Sequence, residues 1–221
     1  MAAKKSQGAE KGVTAREHDQ DATLVKLRIL SEHSLGRAAR SMTALLGHPV
    51  RLAVSGIMPV PLGALPRLLA AADSDVLAGL RFLIAGEAEG QIVLLFPLRT
   101  IFRILRMLLG RHEEPRSLSD QEQSAVQEVG NILVSAFLSG LGDLLGKRLL
   151  PSPPEIHLDN LTALMQQVTE GIKGREPEIL VVQALFEDSE RRIEGQFFML
   201  PEMASLEALL HSSEDGRRVD A

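Results

Sequence analysis

Glu128 and Asn131 stand three residues apart in the stretch EVGNILVSAF, residues 128–137. On a helix, residues at i and i+3 point the same way, with Cβ atoms about 5–6 Å apart. A carboxamide offers a donor and an acceptor together, so it can orient a single water molecule. A carboxylate beside it can pair with a cationic side chain of a partner. Neither role needs a metal or an unusual proton affinity, because the gain such a pair supplies is positional. The same two residues also suit a plain solvated helix edge, and residue types alone leave both readings open.

The segment that must position them is SLSDQEQSAVQEVGNILVSAFLSGLGDLLG, residues 117–146. Ser119 with Glu122 three residues on forms a capping-box start, and Gly146 is a stop. Wound at 100° per residue, Gln121, Ser124, Glu128, Asn131, Ser135 and Ser139 fall in one narrow stripe. Most other positions are apolar, among them Val126, Val129, Ile132, Leu133, Phe137 and Leu141. An ordinary surface helix has a wide charged face. This one reads as embedded on most sides, with a thin polar ridge. Gly130 and Gly140 read as packing positions, where a close helix contact offsets a propensity cost of about 1 kcal/mol.

Around that helix the element order runs twice. Residues 22–46 carry a helical pattern ending at Gly47, and 49–60 read as extended. Residues 62–72 suggest a short helix interrupted by Pro66, 76–97 a hairpin turning at 86–90, and 99–110 an amphipathic helix ending at Gly110. After the long helix, 153–159 read as extended, 160–170 as a short helix, 178–188 and 191–200 as a second hairpin, and 201–212 as a closing helix. LLG recurs at 45–47 and 144–146, an offset of 99 residues. So long a period indicates duplication within one domain rather than a solenoid. The expected fold is therefore α/β (α+β). Two pseudo-twofold related halves, 21–112 and 117–212, share a mixed or antiparallel sheet with long helices packed on it. Residues 1–20 and 213–221 read as disordered tails.

Composition narrows the function classes. The chain has 221 residues, 45% of them hydrophobic, which supports a sizeable core. There is no Trp or Tyr, and the 7 Phe are the only rings available to stack on bases. With a net charge of −5 there is no basic field either, so no nucleic-acid partner is expected. The absence of Cys excludes disulfides, thiol catalysis and thiolate metal sites. The six His never fall at metal-ligand spacing, and no phosphate-loop or dinucleotide motif occurs. The N-terminus lacks the apolar run of a signal peptide, and the charge-free stretches 52–66 and 129–142 are shorter than a membrane span of about 20 residues. The expectation is a cytoplasmic protein with no membrane insertion and no cofactor or metal of its own.

The segment SAVQEVGNIL, residues 124–133, resembles the signature of the CheC-type chemotaxis phosphatases: Ser or Asp, three residues, Glu, two residues, Asn. GQIVLLFPLRTIFRILRMLLG before it, LLPSPPEIHLDN after it, and the hairpin ILVVQALFED–RRIEGQFFMLP extend the resemblance over roughly 22–212. The resemblance implies a phosphatase that removes the aspartyl phosphate from a response-regulator receiver such as CheY. It implies that Glu128 pairs with the receiver's lysine, that Asn131 orients the attacking water, and that Ser124 supports them. It also implies that Mg²⁺ sits on the receiver. In family members with two sites the pair is repeated in the first half. At the offset of 99, Ser124, Glu128 and Asn131 correspond here to Val25, Ile29 and Glu32. The first site, at Ile29 and Glu32, is thus degenerate, and one working site is expected. Val25 and Ile29 are expected in the core, with an apolar docking stripe as the alternative. Arg99, Arg103 and Arg106 read as a solvated basic stripe. An alternative function is a non-catalytic adaptor or flagellar-switch-type module that binds a receiver or a CheD-like partner.

Overall fold

The computed structural model describes residues 3–65, 76–110, 118–170, 172, 178–188, 193–202 and 205. Among the described residues, seven strands form one sheet: β1 (Val50–Pro61), β2 (Leu77–Gly86), β3 (Gly90–Pro97), β4 (Leu149–Pro151), β5 (Glu155–Asp159), β6 (Glu178–Asp188) and β7 (Glu194–Pro201). The helices are α1 (Ala3–Leu46), α2 (Leu98–Leu109), α3 (Asp120–Leu145) and α4 (Leu161–Glu170).

The strand order is β1-β6-β7-β3-β2-β4, with β5 also on β2, and every pairing is antiparallel. It is a palindrome about the β7–β3 pair. Each half contributes a central hairpin, and each half's first strand crosses to flank the other half's hairpin. The two long helices end alike, at Gly47 and Gly146, with φ of 70° and 65°. That left-handed conformation carries little penalty only for glycine.

Alternation along the central strands sorts the core into two layers. Ile92, Leu94 and Phe96 of β3, with Phe197 and Met199 of β7, join the cluster under α1, α2 and α3. Val93, Leu95, Phe198 and Leu200, one residue out of phase, pack with Leu164, Met165 and Val168 of α4 on the other face. A sheet covered on both faces explains why these strands read as continuous apolar runs.

α3 is held on two sides. A Cβ at Gly130 would lie 2.6 Å from Leu80 Cδ2 and 3.1 Å from Phe82 Cζ, so here the helix backbone rests directly on the sheet. A Cβ at Gly140 would lie 3.1 Å from the Cα of Ser34 on α1, so a side chain there would press on the other long helix. Arg37 and Asp143 pair beside that crossing. By length and composition α3 could cross a bilayer, which the count of charge-free residues did not anticipate; 56% of its apolar 18-residue window is buried inside this fold.

Other expectations change. The backbone of α1 is helical from Ala3, where the polar composition of 1–20 suggested a disordered tail. The segment contains no Pro and is rich in Ala, Lys, Glu and Gln. Extending an anchored helix adds a hydrogen bond per residue without a new nucleus. The return strand is two short strands, β4 and β5, rather than one. Of the short helix expected at 62–72, a 3-10 turn at Leu62–Ala64 is described. The remainder of that helix, most of the closing helix at 201–212, and 213–221 lie outside the described residues.

Candidate active site

α3 starts as its sequence dictates. The Ser119 side chain accepts the Glu122 N–H, and Glu122 Oε2 accepts the Ser119 N–H at 2.8 Å. This reciprocal cap satisfies two donors that a helix start otherwise leaves open. Two turns further on, the polar ridge surfaces. Ser124, Glu128 and Ser139 are exposed, and Asn131 and Ser135 are half-buried. Val126, Val129, Gly130, Leu133, Val134 and Phe137 are buried beneath them.

Ser124, Glu128 and Asn131 line one open cleft of about 450 Å³. Its opposite wall is the break in the edge strand, Pro151-Ser152-Pro153-Pro154. That wall has a definite cause. Along β2, Ile84 faces Pro151 and Arg81 faces Glu155, so three steps on β2 oppose four on the edge. The extra residue makes a bulge, which bends an edge strand and re-aims what it carries. Proline suits such an unpaired stretch because it has no N–H to leave unsatisfied. Ser152 seals the gap: its N–H donates to Leu83 O at 2.8 Å, and its Oγ accepts the Leu83 N–H at 2.9 Å. β1 carries a matching one-residue bulge at Ser55, where Val54 faces Ala184 and Gly56 faces Gln183. At the offset of 99, Ser55 corresponds to Pro154.

Gln127 ties the two walls together, its Nε2 donating to Pro154 O at 3.1 Å. Asn131 Oδ1 accepts from Ser135 Oγ at 3.4 Å. Among the described residues, Glu128 makes no hydrogen bond or ion pair, and the Asn131 NH₂ group has no partner. Both are left facing the cleft. No group of three or more Asp, Glu or His is arranged to hold a metal among the described residues.

The first-half residues lie on α1 and do not line this cleft. Glu32 pairs with Arg28 at 3.5 Å. Val25 and Ile29 are 60% and 62% exposed, not buried in the core as expected. The face of α1 that meets the fold is Leu27, Ser31, Ser34, Leu35, Ala38 and Met42, all buried. Two of these are serines, one of them Ser34 at the approach to Gly140 of α3, so apolarity does not mark the buried side there.

Gln127 and Ser152 are the site residues that sequence reasoning missed. Gln127 adjoins the signature Glu, but its partner is 27 residues away in sequence. The run LLPSPP was visible as a proline-rich return strand, without any indication that it faces Glu128.

A profile of the CheC-like family matches residues 122–158, from the cap of α3 through the cleft wall to β5. Over 188 residues the chain is 28% identical to a protein of Bacillus subtilis (strain 168) named "CheY-P phosphatase CheC", covering 83% of this chain and 90% of that one. Its fold is similar to that of Thermotoga maritima FliY, with a TM-score of 0.69 and 16% identity over 88% of this chain and 96% of the other. A chain of the FliM-SpeE complex from H. pylori aligns with a TM-score of 0.62 and 12% identity, over 90% and 98% of the two chains. With the ridge, the capped helix and the palindromic sheet, these matches bear out the resemblance of the chain to the CheC-like family.

Proposed function

We propose that the protein accelerates hydrolysis of the aspartyl phosphate on a CheY-type chemotaxis receiver in the cytoplasm, through a single site at Glu128 and Asn131. The observation that carries this reading is that the pair shares one open cleft, with the Glu128 carboxylate and the Asn131 NH₂ group unpartnered among the described residues. In the docked complex the Glu128 carboxylate would pair with a receiver lysine and set the register. The Asn131 amide would hold a water in line with the phosphorus. Attack by the water oxygen forms the new P–O bond as the bond to the aspartyl oxygen breaks. The receiver's carboxylate leaves, and the water's proton goes to solvent or phosphate. Mg²⁺ belongs to the receiver in this scheme. Phosphoryl transfer is governed by positioning and electrostatics, so one oriented amide is a sufficient contribution from this chain.

The test is the decay of phosphate on purified receivers, alone, with wild type, and with Asn131→Ala. Acceleration by wild type that vanishes in the variant is the expected result. Equal rates for the two would remove Asn131 from the mechanism.

A second reading, an adaptor that binds a receiver or a CheD-like protein without hydrolysis, draws on the exposed Val25 and Ile29. They stand on α1 where the other half carries its polar residues. Receiver binding without acceleration would favour it.

A further inference from the structure

Eight residues line the Glu128 cleft. A specific protein interface engages about 20–30 residues a side, so a receiver that reaches Asn131 must rest on further surface. The furrow beside α3 supplies it. Past Asn131 a second open cleft of about 350 Å³ continues between α3 and β4; ten residues line it, and Pro151 belongs to both clefts. Ser135 and Ser139 carry the polar ridge into it. Ser139 lies eight residues beyond Asn131, about 12 Å along the helix axis, whereas a small domain is about 30 Å across. A domain centred on Asn131 therefore overlies Ser139.

The two clefts carry opposite uncompensated charge. Glu128 is the one charged residue lining the first, and it has no ion-pair partner among the described residues. Three charged residues line the second: Asp143, Lys147 and Arg148. Asp143 pairs with Arg37 of α1, and Lys147 Nζ lies 2.9 Å from Glu87 Oε2. Arg148 is exposed, and its side chain makes no hydrogen bond or ion pair among the described residues. Leu150, two residues on, is 47% exposed. Arginine beside open apolar surface is a combination enriched at the anchoring points of interfaces. The opposed charges also fix direction. A partner seated one way satisfies both; turned end for end, it sets its cation against Arg148 and its anion against Glu128.

We infer that the second cleft is the other half of the receiver's docking surface, where Arg148 takes an acidic side chain of the receiver while Glu128 takes its lysine. The inference rests on the proposed receiver reading and deepens it, adding an anchor that sets affinity and orientation apart from the reacting water.

The experiment uses the full chain as wild type, Arg148→Ala, Arg148→Glu and Ser139→Trp. Two quantities are read: the Kd of a receiver loaded with beryllofluoride, a stable acyl-phosphate mimic, and kcat and KM on the same receiver phosphorylated from acetyl phosphate. Arg148→Ala should weaken Kd and raise KM about 2- to 5-fold, as loss of an exposed ion pair does. Arg148→Glu should do so more strongly, and Arg148→Ala should flatten the rise of KM with salt. Ser139→Trp, which fills the second cleft, should also weaken Kd. In the Arg148 variants kcat should keep its wild-type value, because the reacting water is held elsewhere. A thermal unfolding midpoint for each variant separates these effects from a folding defect. An unchanged Kd in either Arg148→Glu or Ser139→Trp would overturn the inference, as would an Arg148 loss confined to kcat, and both would leave the hydrolysis reading standing. Wild type that binds the loaded receiver without accelerating hydrolysis would overturn the phosphatase reading, and the Kd comparison would still decide the second cleft. Wild type that binds no receiver would overturn both.

Discussion

The Gln127 Nε2 donates to the carbonyl oxygen of Pro154 at 3.1 Å, joining the helix that carries Glu128 and Asn131 to the bulged strand that faces them. The bond spans the cleft between its two walls, so the spacing of the site depends on a residue beside the reactive pair. Gln127→Glu keeps the size and loses the donor, placing a carboxylate against a carbonyl. It should reduce receiver dephosphorylation about 3- to 10-fold while costing about 1 kcal/mol of stability. Rates and urea midpoints for Gln127→Glu and Gln127→Ala check this. Full activity in both would mean the wall needs no tether.

Gly130 tests how closely α3 rests on the sheet. Replacement by Ala should gain about 1 kcal/mol of helix propensity. The added Cβ meets buried Leu80 and Phe82 side chains at 2.6 and 3.1 Å, and overpacking of that kind costs about 1–3 kcal/mol. The packing cost should win, with a net loss of about 1 kcal/mol for Gly130→Ala and more for Gly130→Val. Chemical denaturation decides it. A stabilised Ala variant would show that the sheet yields.

Ile29 and Leu27 lie two residues apart on α1 and should behave oppositely. Leu27 is 1% exposed, so Leu27→Ala should cost about 2–5 kcal/mol. Ile29 is exposed, and Ile29→Ser should change stability by less than about 0.5 kcal/mol and leave dephosphorylation intact. A large loss of stability in Ile29→Ser would return this residue to the core.

Glu87 should give the acid limb of stability an identifiable component. It sits in the β2–β3 turn and clasps the junction after α3: its Oε1 accepts the Arg148 N–H at 3.0 Å and its Oε2 meets Lys147 Nζ at 2.9 Å. The Arg148 backbone N–H, and then the Lys147 ammonium, hold its carboxyl below the ordinary 4.5. A folded-state pKa below the unfolded one means that this contribution is complete above the unfolded value and lost as pH falls through the folded one. Glu87→Gln should therefore be less stable than wild type at neutral pH, and the difference should close under acid, below about pH 4. Urea midpoints across that range measure it. A difference independent of pH would assign the effect to hydrogen bonding alone.

The long helix and its ridge were legible in the sequence because their determinants are local. Ser119 and Glu122 cap α3 across three residues, Gly146 ends it, and the 3.6-residue period alone places Ser124, Glu128 and Asn131 on one line. The two hairpins were legible for the same reason: each is a pair of apolar runs close in sequence, the first flanking a turn bounded by Gly86 and Gly90. Tertiary structure decided the rest. The cleft wall depends on a strand register that opposes three steps along β2 to four along the edge, and no local pattern encodes a register between strands so far apart in sequence. Nor does the sequence show that each half's first strand pairs with the other half's hairpin. The outward face of Val25 and Ile29 was likewise decided by packing. Where α1 crosses α3, Ser34 meets Gly140, and so close a contact admits a small polar side chain on the buried face, so apolarity alone does not mark that face.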